Sequence, residues 1–405
     1  MHFDYIRNSS DILSHGIRPL REAALQIVDH GILGGDPGIG THKEVRLNGD
    51  LLYVGEMKFD LAKVRRIFVL GTGKGSYPIA KALEDILGDR IYKGFLSVKK
   101  GESRRLKHIE VIESGHPIPD ENSIEAGRRL ISMADEVQEG DLAFLAITGG
   151  CSALSICPSG DITLEEYQRL TDLLLGSGAI IRDINAVRKH LCQLKGGRFI
   201  SRIQPGTALT LTLDTQPKGM LWPDMSLPDS STFADALNVL RDTGIWDEAP
   251  ESVISYLKDG LQNPEWETLK SLEHMNAYLV SVGDQIQACE SAAKKALELG
   301  FEPHILSTSI QGEAVVAGRV LAGLTREIIL RDRPFRAPCA LISSGEMTVS
   351  LGNKTGRGGP NQEFVLSFAS EIEPLEGFAC ASVDTDGTDG PTDIAGGITD
   401  AGTCE

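Results

Sequence analysis

Arg66-Ile67-Phe68-Val69-Leu70-Gly71-Thr72-Gly73-Lys74-Gly75-Ser76 holds the pattern that decides the fold. A short apolar run, 66–70, has the length of a buried strand. A glycine turn follows, and an amphipathic stretch over 76–87 then reads as a helix. The same alternation recurs outward from it. Strands are expected at 94–98, 109–112, 142–147 and 209–213, with helices at 122–137, 163–175 and 183–194. Pro119-Asp120 is a plausible cap for the first of these helices, and Thr163-Leu164-Glu165-Glu166 spells a capping box for the second. Short apolar runs alternating with longer amphipathic ones indicate an α/β fold with a parallel sheet sandwiched by helices.

Residues 206–264 read less clearly, with turn residues and prolines at 217, 223 and 228. A second alternating block follows. Its strands are expected at 277–282, 304–306, 340–343, 347–351 and 378–383, and its helices at 287–299, 313–330 and 363–369. The boundary between the blocks is expected within 240–275, which gives two domains, 1–255 and 256–405.

The 405 residues suffice for two cores, and 41% hydrophobic with 24% charged residues is globular composition. Lys and Arg number 40 against 57 Asp and Glu, a net charge of −17, which argues against nucleic acid as a partner. No apolar run reaches the roughly 18 residues of a membrane span. The N-terminus carries no basic segment leading into an apolar core. A soluble, cytoplasmic protein is expected. The seven cysteines include no Cys-x-x-Cys pair, so neither a disulfide framework nor a structural zinc site is indicated.

Many of the 44 glycines stand just past expected strand ends, where backbone N–H groups approach ligands in open α/β sheets. Gly71-Thr72-Gly73-Lys74-Gly75-Ser76 is not a Walker loop, because Phe68 stands five residues before the Gly73-Lys74 pair. Nor is it a complete dinucleotide fingerprint. It reads as an anion-binding turn with one cation, Lys74, at a helix start, involving Gly73, Gly75 and Ser76; the bland reading is a turn with a solvated lysine. Ser114-Gly115-His116-Pro117-Ile118-Pro119-Asp120 follows another strand, and His116 either contacts a ligand or stabilises a proline turn. In Thr148-Gly149-Gly150-Cys151-Ser152, Gly149 and Gly150 suit backbone donation and Ser152 hydrogen bonding, while the Gly-x-Ser-x-Gly of a serine nucleophile is absent.

The helix over 183–194 carries Asn185, Arg188, Lys189 and Cys192 away from its apolar stripe, with Lys195-Gly196-Gly197-Arg198 at its end. A basic face in water is the simple reading. In so acidic a chain a local basic cluster beside glycine loops points instead to an anion site. In the second block, Ser343-Ser344-Gly345-Glu346 leads to Gly356-Arg357-Gly358-Gly359-Pro360-Asn361-Gln362-Glu363. There an arginine among glycines can grip phosphate bidentately. Asp384-Thr385-Asp386-Gly387-Thr388-Asp389-Gly390-Pro391-Thr392-Asp393 lacks the position-12 glutamate of a calcium loop, Ala395 standing there. Its carboxylates suit Mg²⁺ held partly by a nucleotide, or else form a turn without metal.

In order along 8–403, these motifs resemble the glycerate kinase family whose second half is called the MOFRL domain; some members carry the name hydroxypyruvate reductase. The resemblance rests on the lysine loop at 71–76, Gly-His-Pro-x-Pro-Asp at 115–120, Gly-Gly-x-Ser-Ala-Leu at 149–154 and Asn-Ala-Val-Arg-Lys-His-Leu at 185–191. It continues through Lys-Gly-Gly-Arg at 195–198, Arg-Gly-Gly-x-Asn-Gln-Glu at 357–363 and the aspartate-rich run at 384–393. It implies ATP-dependent phosphorylation of D-glycerate at its 2-hydroxyl, in a cleft between a Rossmann-like domain and a MOFRL domain. By that resemblance Lys74 and Arg357 act on the transferred phosphoryl group, and Asp386 and Asp389 hold Mg²⁺ or act as base. Ser152, Arg188 and Lys189 hold substrate or phosphates. Gly73, Gly75, Ser76, His116, Gly149, Gly150, Asn185, Lys195, Glu346, Gly358, Gly359 and Asn361 complete the expected binding residues. The partners implied are ATP and a small hydroxy acid, and a homodimer is left open.

Two departures stand out. Where the family has Ser-Asp-Val-x-Gly-Asp and then Ser-Gly-Pro, this chain has Leu213-Asp214-Thr215-Gln216-Pro217-Lys218 and Pro223-Asp224-Met225. The chain also ends at Glu405 without the family's closing Gly-Pro-Thr-Gly-Thr-Asn, so the second domain is expected to be short. Three alternatives follow: a kinase of another small sugar acid, an NAD(P)H-dependent hydroxypyruvate reductase, and a non-catalytic nucleotide-binding relative. The broken dinucleotide fingerprint weighs against the reductase.

Overall fold

The computed structural model describes residues 2–214, 224–351 and 356–403. These form two compact units, neither of them contiguous: residues 37–214 with 224–282, and 2–36 with 283–403.

The first unit opens with a small antiparallel meander of β1 (Val45–Asn48), β2 (Leu51–Val54) and β3 (Met57–Asp60). Its main sheet comprises β4 (Ile67–Thr72), β5 (Ile91–Lys99), β6 (Ile109–Ser114), β7 (Leu142–Ile147), β8 (Thr207–Asp214) and β9 (Ala277–Asp284), in the order β6-β5-β4-β7-β8-β9. From β4 to β8 every pairing is parallel. The chain begins at β4, moves outward to β6, then returns to lay β7 against the other side of β4. This is the doubly wound order, with its direction reversed between β4 and β7.

All six residues of β4 and of β7 are buried, as a central strand covered on both faces requires. Side chains alternate between two cores. Phe68, Leu70, Phe95, Leu145 and Ile147 pack with the helices Glu121–Asp135 and Leu164–Gly176 on one face. Val69, Leu96, Phe144 and Leu209 pack with the helix Ser76–Leu87 and the meander on the other.

The helix signals read from sequence act as expected. Asp120 Oδ1 accepts from Ser123 N at 3.1 Å while Ser123 Oγ accepts from Asp120 N at 3.0 Å. Thr163 and Glu166 cap each other in the same reciprocal way. The obscure stretch 206–264 contains two helices, Phe233–Asp242 and Glu251–Gly260. The first opens on a Thr232–Asp235 capping box with Asp standing where Glu is usual.

In the second unit, β10 (Glu302–Glu313) and β11 (Cys339–Thr348) pair in parallel, and β12 (Ala379–Val383) and β13 (Gly396–Asp400) pair antiparallel. The helices Gln285–Glu298, Ala314–Arg331 and Pro360–Ile372 accompany them, together with the N-terminal helix Arg18–Gly35. The strands expected at 340–343 and 347–351 are one strand. Gly345 lets it run through, since a Cβ there would lie 2.0 Å from the Ile310 carbonyl oxygen.

The units do not divide at 255/256. Most of β9 belongs with the first unit's sheet, the change falling near its end at 282/283, and the first 36 residues join the second unit. Helix Arg18–Gly35 lies on helix Gln285–Glu298 through small residues. A Cβ on Gly34 would come within 2.7 Å of the Gln287 carbonyl oxygen. Arg21 secures the other end of this helix, its Nε donating to Asp400 Oδ2 at 2.7 Å in a buried ion pair. Ile17 N also donates to Asp400, at 2.6 Å.

Burial alone would raise the Asp400 carboxyl, but the Arg21 and Ile17 hydrogen bonds hold it below the ordinary aspartate value. A depressed folded-state value contributes stability above the unfolded value near 4, and that stability is lost as pH falls through the folded one. Arg21→Met leaves Asp400 buried and unpaired. It should lower the unfolding free energy by about 3–5 kcal/mol near neutral pH, and by less in acid, where Asp400 protonates. Urea denaturation at both pH values checks this; an unchanged midpoint at neutral pH contradicts it.

Candidate active site

The lysine loop and the Thr148 loop meet at the carboxyl ends of β4 and β7, where the winding reverses and such sheets bind ligands. The two strands come so close that glycine is required. A Cβ on Gly71 would lie 2.6 Å from the Ala146 carbonyl oxygen, and one on Gly73, with φ +133°, 2.2 Å from Thr148 Oγ1. Gly75 N donates to Thr148 Oγ1 at 2.9 Å and Lys74 N to the Gly149 carbonyl at 2.8 Å. Gly73 N donates to Ser97 O, and Ser76 bonds Gly73 O through both its N and its Oγ.

The expected backbone cradle at Gly73, Gly75 and Ser76 is thereby corrected. Their N–H groups are committed inside the fold, and Ser76 is fully buried. What this loop presents is Lys74. The donors lie across from it: the N–H groups of Gly149 and Gly150 have no hydrogen-bond partner among the described residues. Gly150 is left-handed at φ +88°. A Cβ there would lie 3.0 Å from Lys74 Cγ and 3.3 Å from His116 Nε2. Lys74, His116, Gly149 and Gly150 therefore form one cluster, with Ser152 just beyond it.

The basic helix is shorter than expected, Ile181–His190, and its cations divide. Cys192 lies in the core rather than on a polar face. Lys189 Nζ pairs with Asp229 Oδ1 at 3.2 Å. Burial would raise the Asp229 carboxyl, but Lys189 and Ser231 hold it below its usual range. Lys195 is 1% exposed and donates to the Ser152 carbonyl at 3.0 Å, so it is no solvated helix-end charge. Arg198 binds the carbonyls of Lys189, Cys192 and Trp266. Asn185 and Arg188 are half-buried on this helix. Cys151 is buried beside the glycine loop, and burial pushes its thiol up to about 12, away from the thiolate form.

In the second unit, the arginine loop and the aspartate run hold each other. Asp389 is fully buried. Its two oxygens accept from Asn361 N and Nδ2, both at 3.0 Å, and from Gln362 N and Nε2 at 2.9 and 3.1 Å. It thus caps the helix Pro360–Ile372, whose N–H groups and dipole favour a carboxylate. A Cβ on Gly359 would strike Asp389 Cγ at 2.3 Å, and one on Gly390 would lie 2.6 Å from the Gly358 carbonyl oxygen.

Three of the expected site residues are taken up in this lock. Asp389 is neither metal ligand nor base, because four donors occupy its carboxylate. The Asn361 amide, expected at a ligand, is held by Asp389 and by Ser382 Oγ. Gly359 serves packing. Arg357 is exposed beside Gly358, with no hydrogen bond or ion pair among the described residues. Asp386 is half-buried, its Oδ1 accepting from Thr388 N at 2.9 Å and Oγ1 at 2.8 Å. Glu346 is exposed on β11, opposite Gln311.

No cluster of three or more metal-ligating side chains occurs among the described residues. Asp386 fits the one-carboxylate manner in which Mg²⁺ rides on phosphates; Asp389 does not. Thr148 and Gln362 escaped the sequence reading, although both stand inside quoted motifs. The divergent residues 215–223 lie outside the described residues.

Asp389→Ala should uncap the helix and strand four donors, lowering the unfolding free energy by about 2 kcal/mol or more. Chemical denaturation measures it, and a wild-type midpoint contradicts the capping role.

A family model described as a domain of unknown function (DUF4147) matches residues 23–258, and the MOFRL family model matches 339–405. The chain is 39% identical to a "Glycerate 2-kinase" of Pyrococcus horikoshii over 95% of this chain and 86% of that protein. It is 42% identical to a "D-glycerate 2-kinase" of Thermotoga maritima over 84% of this chain and 80% of that one. The crystal structure of a glycerate kinase from Thermotoga maritima superposes with a TM-score of 0.80 at 38% identity, covering 95% of this chain and 88% of its own. Shared identity over nearly the whole length, the doubly wound sheet and the MOFRL match agree: this chain belongs to the glycerate 2-kinase family.

Proposed function

We propose that the chain transfers the γ-phosphoryl group of ATP to the 2-hydroxyl of D-glycerate, giving 2-phosphoglycerate, ADP and a proton. The observation that carries this reading is Lys74, set by its own backbone beside the unpaired N–H groups of Gly149 and Gly150 at the sheet's reversal point. Phosphoryl transfer asks a protein for position and charge neutralisation more than for covalent chemistry. A lysine with two backbone donors supplies that in the first unit. An exposed arginine braced by the Asp389 lock supplies a bidentate cation in the second.

His116, on the other side of Gly150, offers a hydrogen bond to the phosphates or the acceptor. Asp386 would hold Mg²⁺ arriving with the nucleotide, and the ion would neutralise charge on the phosphate oxygens. No helix among the described residues is long and apolar enough to cross a membrane, and the reaction is assigned to the cytoplasm, where ATP is at hand.

ADP release driven by D-glycerate, followed with purified protein and Mg²⁺, tests the reading. Lys74→Ala and Arg357→Ala should each lower kcat/KM by about 10²–10⁴-fold with little change in unfolding midpoint. Asp386→Asn should raise the Mg²⁺ concentration needed for half-maximal rate. Glycerate-independent ADP release that survives Lys74→Ala contradicts the proposal. NADH consumption with hydroxypyruvate in the absence of ATP would establish the reductase instead.

A further inference from the structure

Lys195 and Arg188, two of the expected anion-binding cations, are not paired with carboxylates as Lys189 is. Lys195 has a single hydrogen bond, to the Ser152 carbonyl. Arg188 Nε is buried and unpartnered, although part of its side chain reaches solvent. Of the other buried polar atoms without a partner, two matter here: the hydroxyl of Tyr167, a residue 1% exposed, and Oδ1 of the half-buried Asp224.

These groups share one neighbourhood. The Asp224 carbonyl accepts from Gly197 N at 2.8 Å, two residues beyond Lys195, and the adjoining Met225 carbonyl accepts from Ile200 N. The charges of Arg188 and Asp224 both act on the Tyr167 hydroxyl. Those of Asp224 and Lys195 act on Cys151, next to Ser152. Folded proteins seldom leave buried polar atoms unpaired, and three orphans around a buried ammonium indicate a missing occupant. Two cations, a phenol and one carboxylate are complementary to a small monoanion that also carries a hydroxyl group.

We propose that Arg188, Lys195, Tyr167 and Asp224 form the subsite for the acceptor, with the cations and the phenol receiving its carboxylate and Asp224 accepting a hydrogen bond from a hydroxyl that is not phosphorylated. This rests on the kinase reading for the identity of the acceptor. For D-glycerate the hydroxyl on Asp224 is the one on carbon 3, leaving the 2-hydroxyl open to the phosphoryl group. Pro223-Asp224-Met225 stands in place of the Ser-Gly-Pro of the family resembled, and the contact makes Asp224 a specificity determinant.

The test is nucleotide-free calorimetric titration with D-glycerate and D-lactate, which differ only in the 3-hydroxyl. The wild type should prefer D-glycerate by about 10- to 100-fold. Asp224→Gly, and Asp224→Asn should the glycine variant fold poorly, should bring that ratio close to one. Arg188→Met should weaken both acids alike, and Tyr167→Phe should weaken both without lowering the unfolding midpoint. A ratio unchanged in both Asp224 variants overturns the proposal. So does a Tyr167→Phe protein that loses stability but binds as tightly as wild type, since the hydroxyl would then hold a structural water. The two readings fail separately. Glycerate preference without ADP release leaves the subsite and removes the kinase; ADP release with an Asp224-independent ratio does the reverse.

Discussion

The contact between β4 and β7 is the constraint on which the candidate site depends. Two parallel strands meet where the chain reverses its winding, and their following loops must pass at backbone distance. Glycine at 71 and 73 permits the approach, and the Thr148 hydroxyl and Gly149 carbonyl then take the N–H groups of Gly75 and Lys74. The loop's donors are used up in holding its shape. In return the backbone of Lys74 is held next to the free N–H groups of the neighbouring loop.

The second unit solves a similar problem by another route. Its arginine stands on a loop of glycines, which alone would be loose. The buried Asp389 carboxylate fastens the loop's exit to the start of a helix, and Gly359 and Gly390 allow the two segments to touch. A carboxylate that looks like a ligand in the sequence is a structural clamp. In both units a group with evident chemical potential is spent on geometry so that one cation can be presented.

Much of this was legible in the sequence. The strand, glycine turn and helix at 66–87 gave the class of fold, and the capping boxes at 120 and 163 placed two helices. Motif order pointed to the family. What escaped depends on contacts between distant segments. Nothing local says that Gly75 N–H closes onto Thr148, that Lys195 is buried under Ser152, or that the first 36 residues leave with the second unit through Arg21 and Asp400. Whether an aspartate binds metal or caps a helix depends on what stands across from it. The sequence predicts two strands, 340–343 and 347–351, where the fold has one, because Gly345 looks like an interruption until the Ile310 carbonyl beside it is seen.

The most direct measurement is acceptor-dependent ADP release by Thr148→Val beside Thr148→Ser. Valine keeps the shape of threonine but removes the hydroxyl that holds Gly75, so the rate should fall about tenfold or more with the fold intact, and serine should restore it. A valine variant working at the wild-type rate would contradict the claim that this clamp sets Lys74 for phosphoryl transfer.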